Sequence, residues 1–325
     1  MRNERISVGV GIPPRPPAGL VDAAIAGAQE AGVDTMWCID HFGSFVPQSI
    51  WDSDFSPFAT PGTSPDEIFE FQTLLGYVSA RTAGIRLGVG VTEAIRRHPA
   101  ILAQAFLTLS HLNDEPVILG IGAGERENTD PFGFDFRGQI SRLEEALQII
   151  HMCFTSRGPF DFSGRFFQLE GAILDLEPGP AGPPEIWVAA QGPRALELAG
   201  RYGDGWYPTV LMDPASYAGR LASVHDSATK AGRDPEAIRA ALQTFIVVDV
   251  DRTAARALLD SPAVRLMALL LPSTEWAAAG RAHPMGDGFR GVVDFIPQHY
   301  NRATMQGALQ NIRLAFVQIK GQTAE

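Results

Sequence analysis

The chain has 325 residues, with 26 Lys or Arg against 37 Asp or Glu and a formal charge of −11. That acidic balance leaves no global basic footprint, so nucleic acid and anionic membrane surfaces are excluded as general partners, and any anionic ligand must be met by local groups. A hydrophobic fraction of 45% supplies a sizeable core, while no apolar run reaches membrane-spanning length.

In chain order, "ISVGVG" at 6–11 is a short β-rich run, followed by a Pro-rich loop and the Ala-rich, helix-like "AGLVDAAIAGAQEAG" ending at Gly32. "TMWCI" at 35–39 repeats the strand signal, and "PDEIFEFQTLLGYVSART" reads as a helix with Pro65 near its start. "IRLGVGV" at 85–91 leads to "HPAILAQAFLTLSHL", and "VILGIG" at 117–122 leads to "GQISRLEEALQIIHMCF". After a Phe-, Gly- and Pro-rich connection, "EIWVAA" at 185–190 meets "PRALELAGRYG", and "GWYPTV" meets a helix around 214–231. "TFIVVDV" at 244–250 reads as a seventh strand, with "TAARALLD" opening the next helix. The two cysteines, Cys38 and Cys153, fall inside apolar stretches. They read as buried thiols in a reducing, cytoplasmic setting, not as a disulfide framework.

Strands that are apolar throughout belong to a sheet covered on both faces, and regular β-then-α alternation points to one parallel system. The expected fold is therefore α/β, a (β/α)8 TIM barrel forming a single domain over residues 1–325. A doubly wound sheet is the alternative, but the "GIGAGE" turn lacks the acidic strand end that a dinucleotide fingerprint requires.

In a barrel the functional rim is the carboxyl end of each strand. Strand two ends in Asp40 and His41, strand three in Thr92 and Glu93, and strand four runs into Glu125, Arg126 and Glu127. Strand five ends in Gln191 and Gly192, and strand six in Tyr207. An apolar strand with an acid and an imidazole at its mouth fills the barrel with one part and faces substrate with the other. The stretches "DPFGFDF" and "FVPQSIW" add Phe45, Trp51, Phe132, Phe134 and Phe136, a set that suits either a bulky apolar substrate or anchoring of loops to the barrel. His283, in "AHPMGDGFRGVVDFIPQHY", is a further candidate in a segment, 272–300, read as an insertion covering the mouth. No metal-ligand pattern is present.

The combination of "DHF", "LGVGVTEAIRRHPAILAQAF", "VILGIGAGERE" and "PPEIWVAAQGPRALELAGRYGDGWYP" resembles the luciferase-like flavin and deazaflavin oxidoreductase superfamily over most of residues 5–210. Within it, "VPQSI", "AGRDP" and "HPMGDGFRGVVDFIPQ" are similar to the coenzyme F420-dependent group and its phthiodiolone ketoreductases. The resemblance implies a barrel holding F420 at its mouth, with FMN and a monooxygenase reaction, or a non-catalytic F420-binding protein, as alternatives. Hydride would pass between the deazaflavin and a ketone or alcohol carbon of a hydrophobic, lipid-like substrate.

By the same resemblance, Asp40 and Thr92 contact the cofactor, Val89 and Gly90 flank a non-proline cis bond beneath its ring, and Gly124, Gln191 and Gly192 line its channel. His41 and Glu125 fall on the proton-handling positions. Of these, His41 needs little adjustment to act near neutral pH, whereas Glu125 needs burial to stay protonated and would be opposed by an inward-pointing Arg126. The phosphate of F420 is assigned to the helix start at "QGPRALE", with Arg194 adding charge. Phe45 stands where a sugar-phosphate dehydrogenase relative has a tryptophan, which disfavours a sugar-phosphate substrate. The resemblance leaves a homodimer open. It also implies that "QNIRLAFVQIKGQTAE" does not supply the family's last strand and helix, so a barrel lacking them is expected.

Overall fold

The computed structural model describes residues 6–209 and 212–312. The chain divides into two compact units, the first drawn from residues 1–42, 68–124 and 132–243 and the second from 43–67, 125–131 and 244–325.

The first unit runs β1 (Gly9–Gly11), α1 (Gly19–Ala31), β2 (Thr35–Cys38), α2 (Phe71–Ser79), β3 (Arg86–Glu93), α3 (Pro99–Leu112), β4 (Ile118–Gly122) and α4 (Gln139–Thr155). A hairpin of β5 (Phe160–Ser163) and β6 (Gln168–Ala172) follows, then β7 (Glu185–Val188), α5 (Pro193–Tyr202), β8 (Gly205–Trp206), α6 (Pro214–Lys230) and β9 (Arg239–Ala240). Seven strands form one sheet in the order β1-β2-β3-β4-β7-β8-β9, and each neighbouring pair is parallel. Because that order never reverses, there is no topological switch point of the doubly wound kind, and the sheet is the wall of a barrel-type α/β fold.

The central strands of the wall are dry on both faces. All five residues of β4 are buried, as are Met36, Leu87, Val89, Ile121 and Val188 on the neighbouring strands. Helix α3 closes over them with Leu102, Phe106, Leu107 and Leu109. It begins where His98 accepts a hydrogen bond from the Ala100 amide at 3.2 Å, with Pro99 in its first turn. The hairpin, unforeseen in the sequence, is fastened to α4 by Glu145, which accepts from the amides of Arg165, Phe166 and Phe167 at 2.7–3.1 Å. Cys38 and Cys153 are buried and unbridged.

Two elements differ from expectation. The helix expected from Pro65 starts only at Phe71, because Glu70 takes an extended conformation and caps the Thr73 amide at 2.8 Å. Upstream, Asp66 is committed to a loop, accepting from the Ser44 amide at 2.9 Å and Gln48 at 2.7 Å. The seventh strand is not 244–250 but β9, which pairs Arg239 with Gly205 and Ala240 with Trp206. The ladder stops because Pro208, next along the β8 edge, accepts from the Gln243 amide at 3.4 Å but has no N–H to return. Phe245, Ile246, Val248 and Val250 are consequently exposed. The expectation of a missing last strand and helix concerns a segment of which residues 313–325 lie outside the described residues.

The second unit contains α7 (Arg252–Leu258), α8 (Pro262–Leu269), α9 (Ser273–Ala278) and α10 (Arg302–Gln310). Its core joins Ile50, Leu266, Leu269, Trp276, Phe295 and Met305. Trp276 donates its indole N–H to the Ala268 carbonyl at 3.1 Å, and Ser49 donates to the Tyr300 carbonyl at 2.9 Å. Residues 272–300, read from sequence as an insertion over the mouth, belong to this unit. Among the described residues, no helix is long and apolar enough to cross a membrane.

Candidate functional site

Asp40, just past β2, is 4% exposed. Its Oδ2 accepts from the Thr92 hydroxyl at 2.6 Å and from Arg97 Nη1 at 2.6 Å, and Arg96 Nη2 stands 2.9 Å away. Arg96 also donates to the Asp40 backbone carbonyl at 2.9 Å and to Glu93, so it fixes the peptide that leads into His41. Glu93 in turn accepts from the amides of Ile95 and Arg96. Asp40 and Thr92, expected to face the cofactor, are therefore bonded to each other within a buried ionic cluster. A carboxylate this deep needs such partners, since an unpaired buried charge is strongly destabilising. His41 is half-buried beside it.

The cis peptide lies at Gly90–Val91, one bond later than the expected Val89–Gly90. Val89 pairs with Leu119 and Thr92 with Ile121, so two residues of β3 face the single Gly120, and the irregular bond sits inside that bulge. Gly90 meets a cluster of rings: a Cβ there would lie 2.9 Å from Tyr207 Oη and 3.3 Å from Trp37. Trp37 stacks on Tyr207 with centroids 5.0 Å apart and packs against Trp187 at 5.4 Å. Gly124 follows β4 with φ of 87° and Glu93 Cγ 3.1 Å from where its Cβ would be, so glycine is required by both conformation and space.

At the end of β7, Gln191 accepts from Arg220 Nη1 at 2.6 Å while its own Nε2 is buried without a partner. Gly192 caps α5 with no side-chain hydrogen bond to the first turn. Arg194, the expected phosphate ligand, is instead half-exposed and paired with Glu144 at 2.9 Å. The cation beside Gln191 is Arg220, reaching in from α6. Nothing in the solvated pattern of that helix announced it. Phe132, half-exposed, packs against Phe42 at 4.3 Å, and the Arg96 guanidinium lies 4.9 Å from the Phe42 ring centre.

The other expected site residues belong to the second unit. There Arg126 is paired with Asp130 at 2.7 Å and Asp294 at 3.2 Å, and Glu125 is half-buried. Phe45 packs on the core of that unit, and Trp51 donates to Thr63 at 3.3 Å. His283 is 5% exposed and has both ring nitrogens engaged. Nδ1 accepts from the Met285 amide at 3.0 Å, which leaves Nε2 to donate to the Leu269 carbonyl at 3.0 Å. Burial lowers its pKa. With Phe289 stacked on it at 4.7 Å, His283 serves the core of the second unit, and we leave it out of the substrate pocket.

A barrel-type parallel sheet with polar residues at its strand ends and a bulged third strand defines a class, and the chain belongs to it: the luciferase-like monooxygenase family, whose model matches residues 6–320. The chain is 40% identical over 309 residues to the phthiodiolone/phenolphthiodiolone dimycocerosates ketoreductase of Mycobacterium sp. (strain JLS), covering 94% of this chain and 81% of that protein. It is 37% identical over 235 residues to the F420-dependent hydroxymycolic acid dehydrogenase of Mycobacterium tuberculosis, covering 71% of this chain and 59% of that one. Among solved structures, an F420-dependent secondary alcohol dehydrogenase in complex with an F420–acetone adduct superposes with a TM-score of 0.73 at 22% identity, covering 96% of this chain and 84% of that one. At that identity the superposition speaks for the fold.

Proposed function

We propose that this protein is an F420-dependent oxidoreductase that reduces a ketone on a hydrophobic, lipid-like substrate, or oxidises the corresponding alcohol. The observation that carries the reading is the set of unused hydrogen-bond donors at the strand ends. Gln191 Nε2 is buried and unpartnered, and the start of α5 is uncapped, with Arg220 beside it. Buried donors in native proteins are nearly always satisfied, so Gln191 Nε2 marks a place where a ligand completes the site, while the exposed start of α5 is open to an anion. A phosphate-bearing arm suits the second and a planar, acceptor-rich ring suits the first. The names of the mycobacterial relatives supply the substrate class, and the half-exposed Phe132 and Phe42 agree with an apolar one.

When bound, F420 supplies or accepts the hydride. The chain supplies the rest. Hydride arrival leaves negative charge on the former carbonyl oxygen, and a donor must meet it. We assign that proton to His41, whose preceding peptide is held by Arg96, whereas Asp40 Oδ2 is taken up by Thr92, Arg96 and Arg97, which hold the group as a carboxylate. Val89, Gly90 and Gly124 are assigned to the cofactor on the resemblance alone. Glu125, Phe45 and Trp51 are assigned on the resemblance alone. Two buried free thiols agree with a cytoplasmic location.

The test is anaerobic turnover of a long-chain ketone with reduced F420. The wild type should regenerate oxidised cofactor, and His41→Ala should lose roughly 10²–10⁴-fold in kcat with cofactor affinity retained. Unchanged turnover in the variant would remove His41 from the mechanism.

We infer as well that the chain forms a homodimer through α2 and α3. Neither helix carries a Lys, Arg, Asp or Glu, and between them lies a groove of about 280 Å³ lined by Leu75, Gly76, Ile101, Ala105, Leu109 and Leu112. Gln72 Nε2 lies there unpartnered. An uncharged face on so acidic a chain is matched by the identical face of a second copy, which brings no unpaired charge into contact.

A further inference from the structure

We infer that the hydroxyl of Tyr207 is a cofactor-binding group, donating to a carbonyl oxygen or ring nitrogen at the edge of the flat heterocycle; this rests on the proposed function and goes beyond the residues assigned there. Tyr207 follows β8 and is 7% exposed. Its ring is accounted for by Trp37, stacked at 5.0 Å, and Trp187 at 6.2 Å. Its hydroxyl is not: among the described residues it makes no hydrogen bond. The apolar residues packed with the ring are Trp37, Val91, Ile118, Trp187 and Ala241. The indole N–H of Trp187 is spent on Glu185 at 2.8 Å.

The ring alone would pack as well as a phenylalanine, so a hydroxyl that makes no hydrogen bond to the protein and keeps an opening to solvent is placed to meet a ligand. The hydroxyl here also has space reserved for it. Gly90 presents no Cβ, and one built there would come within 2.9 Å of Oη. Burial pushes the Tyr207 phenol up to about 12, so it stays an intact O–H donor through the whole working pH range. A neutral donor set among aromatic rings suits a neutral acceptor on a planar ring. The phosphate is assigned above to the start of α5 beside Arg220, and a charged oxygen would be poorly solvated among Trp37, Val91 and Ile118.

Tyr207→Phe removes the oxygen and keeps the stacking. Oxidised F420 is titrated against both proteins, with FMN in parallel and with thermal unfolding of the ligand-free forms. The expected result is a dissociation constant for F420 raised about tenfold, with the melting temperature of the free protein unchanged or higher and the KM for ketone at saturating cofactor unchanged. An unchanged dissociation constant overturns the inference, whether or not KM rises. A lowered melting temperature with unchanged affinity does so too, showing a structural hydroxyl. If the wild type binds FMN in place of F420, the F420 reading falls while the tenfold ratio, now for FMN, still upholds or refutes the tyrosine. If it binds neither, both fall.

Discussion

Asp40 accepts from three side chains through one oxygen, Thr92, Arg96 and Arg97, and removing one partner of so buried a pair typically costs about 3–5 kcal/mol. The sequence showed the acid at the strand end but not its arginine partners, because Arg96 and Arg97 lie 56 and 57 residues further along the chain, a separation at which local pattern is silent. Tyr207 was visible as a strand-end residue, yet an unsatisfied hydroxyl is a property of surroundings that one residue letter does not carry. His283 shows the opposite case: a chemically versatile side chain used for packing. Its lowered pKa has a consequence for stability. The unfolded state binds a proton near pH 6.5 that the folded state refuses, so its contribution is present above about pH 6.5 and is lost as pH falls toward the depressed folded value. Thermal unfolding at pH 7.5 and 5.5 should therefore show a smaller acid-induced drop in His283→Gln than in the wild type. Equal drops would mean that the ring titrates normally. His98, whose pKa is also lowered by burial, acts in the same direction in both proteins and cancels in the comparison.

The strands of the first unit were legible because continuous apolar runs such as Ile118–Gly122 have few other places to go in a covered sheet. Helix ends were less so, since the start of α2 depends on Glu70 capping Thr73 rather than on periodicity. Residues 244–250 carry a strong strand pattern and form no strand, because a strand needs a neighbour with a free edge and Pro208 interrupts the edge on offer. Helices α2 and α3 carry the clearest element-scale prediction. Light scattering after gel filtration should give twice the chain mass of 35.0 kDa, and Ile101→Glu with Leu112→Glu, both at exposed positions, should give the monomer with its fold intact. A monomeric wild type, or a double variant that remains a dimer, would move the interface elsewhere.

For the whole molecule, the order of the sheet and the family were legible in the sequence through the spacing of β and α runs and through motifs such as "GVGVTEAIRRHP". The division into two units was not, because the second is assembled from residues 43–67, 125–131 and 244–325, three stretches far apart in the chain. The cation beside Gln191 was not legible for a related reason: Arg220 reaches Gln191 across 29 residues, a distance over which local pattern is silent. What unites the site is a set of donors left open at the strand ends, and the claim that they hold a deazaflavin is tested most directly by equilibrium titration of the purified protein with F420 and with FMN. The account predicts saturable binding of F420 at one site per chain, tighter than FMN. Preference for FMN, or no binding of F420 at all, would contradict it.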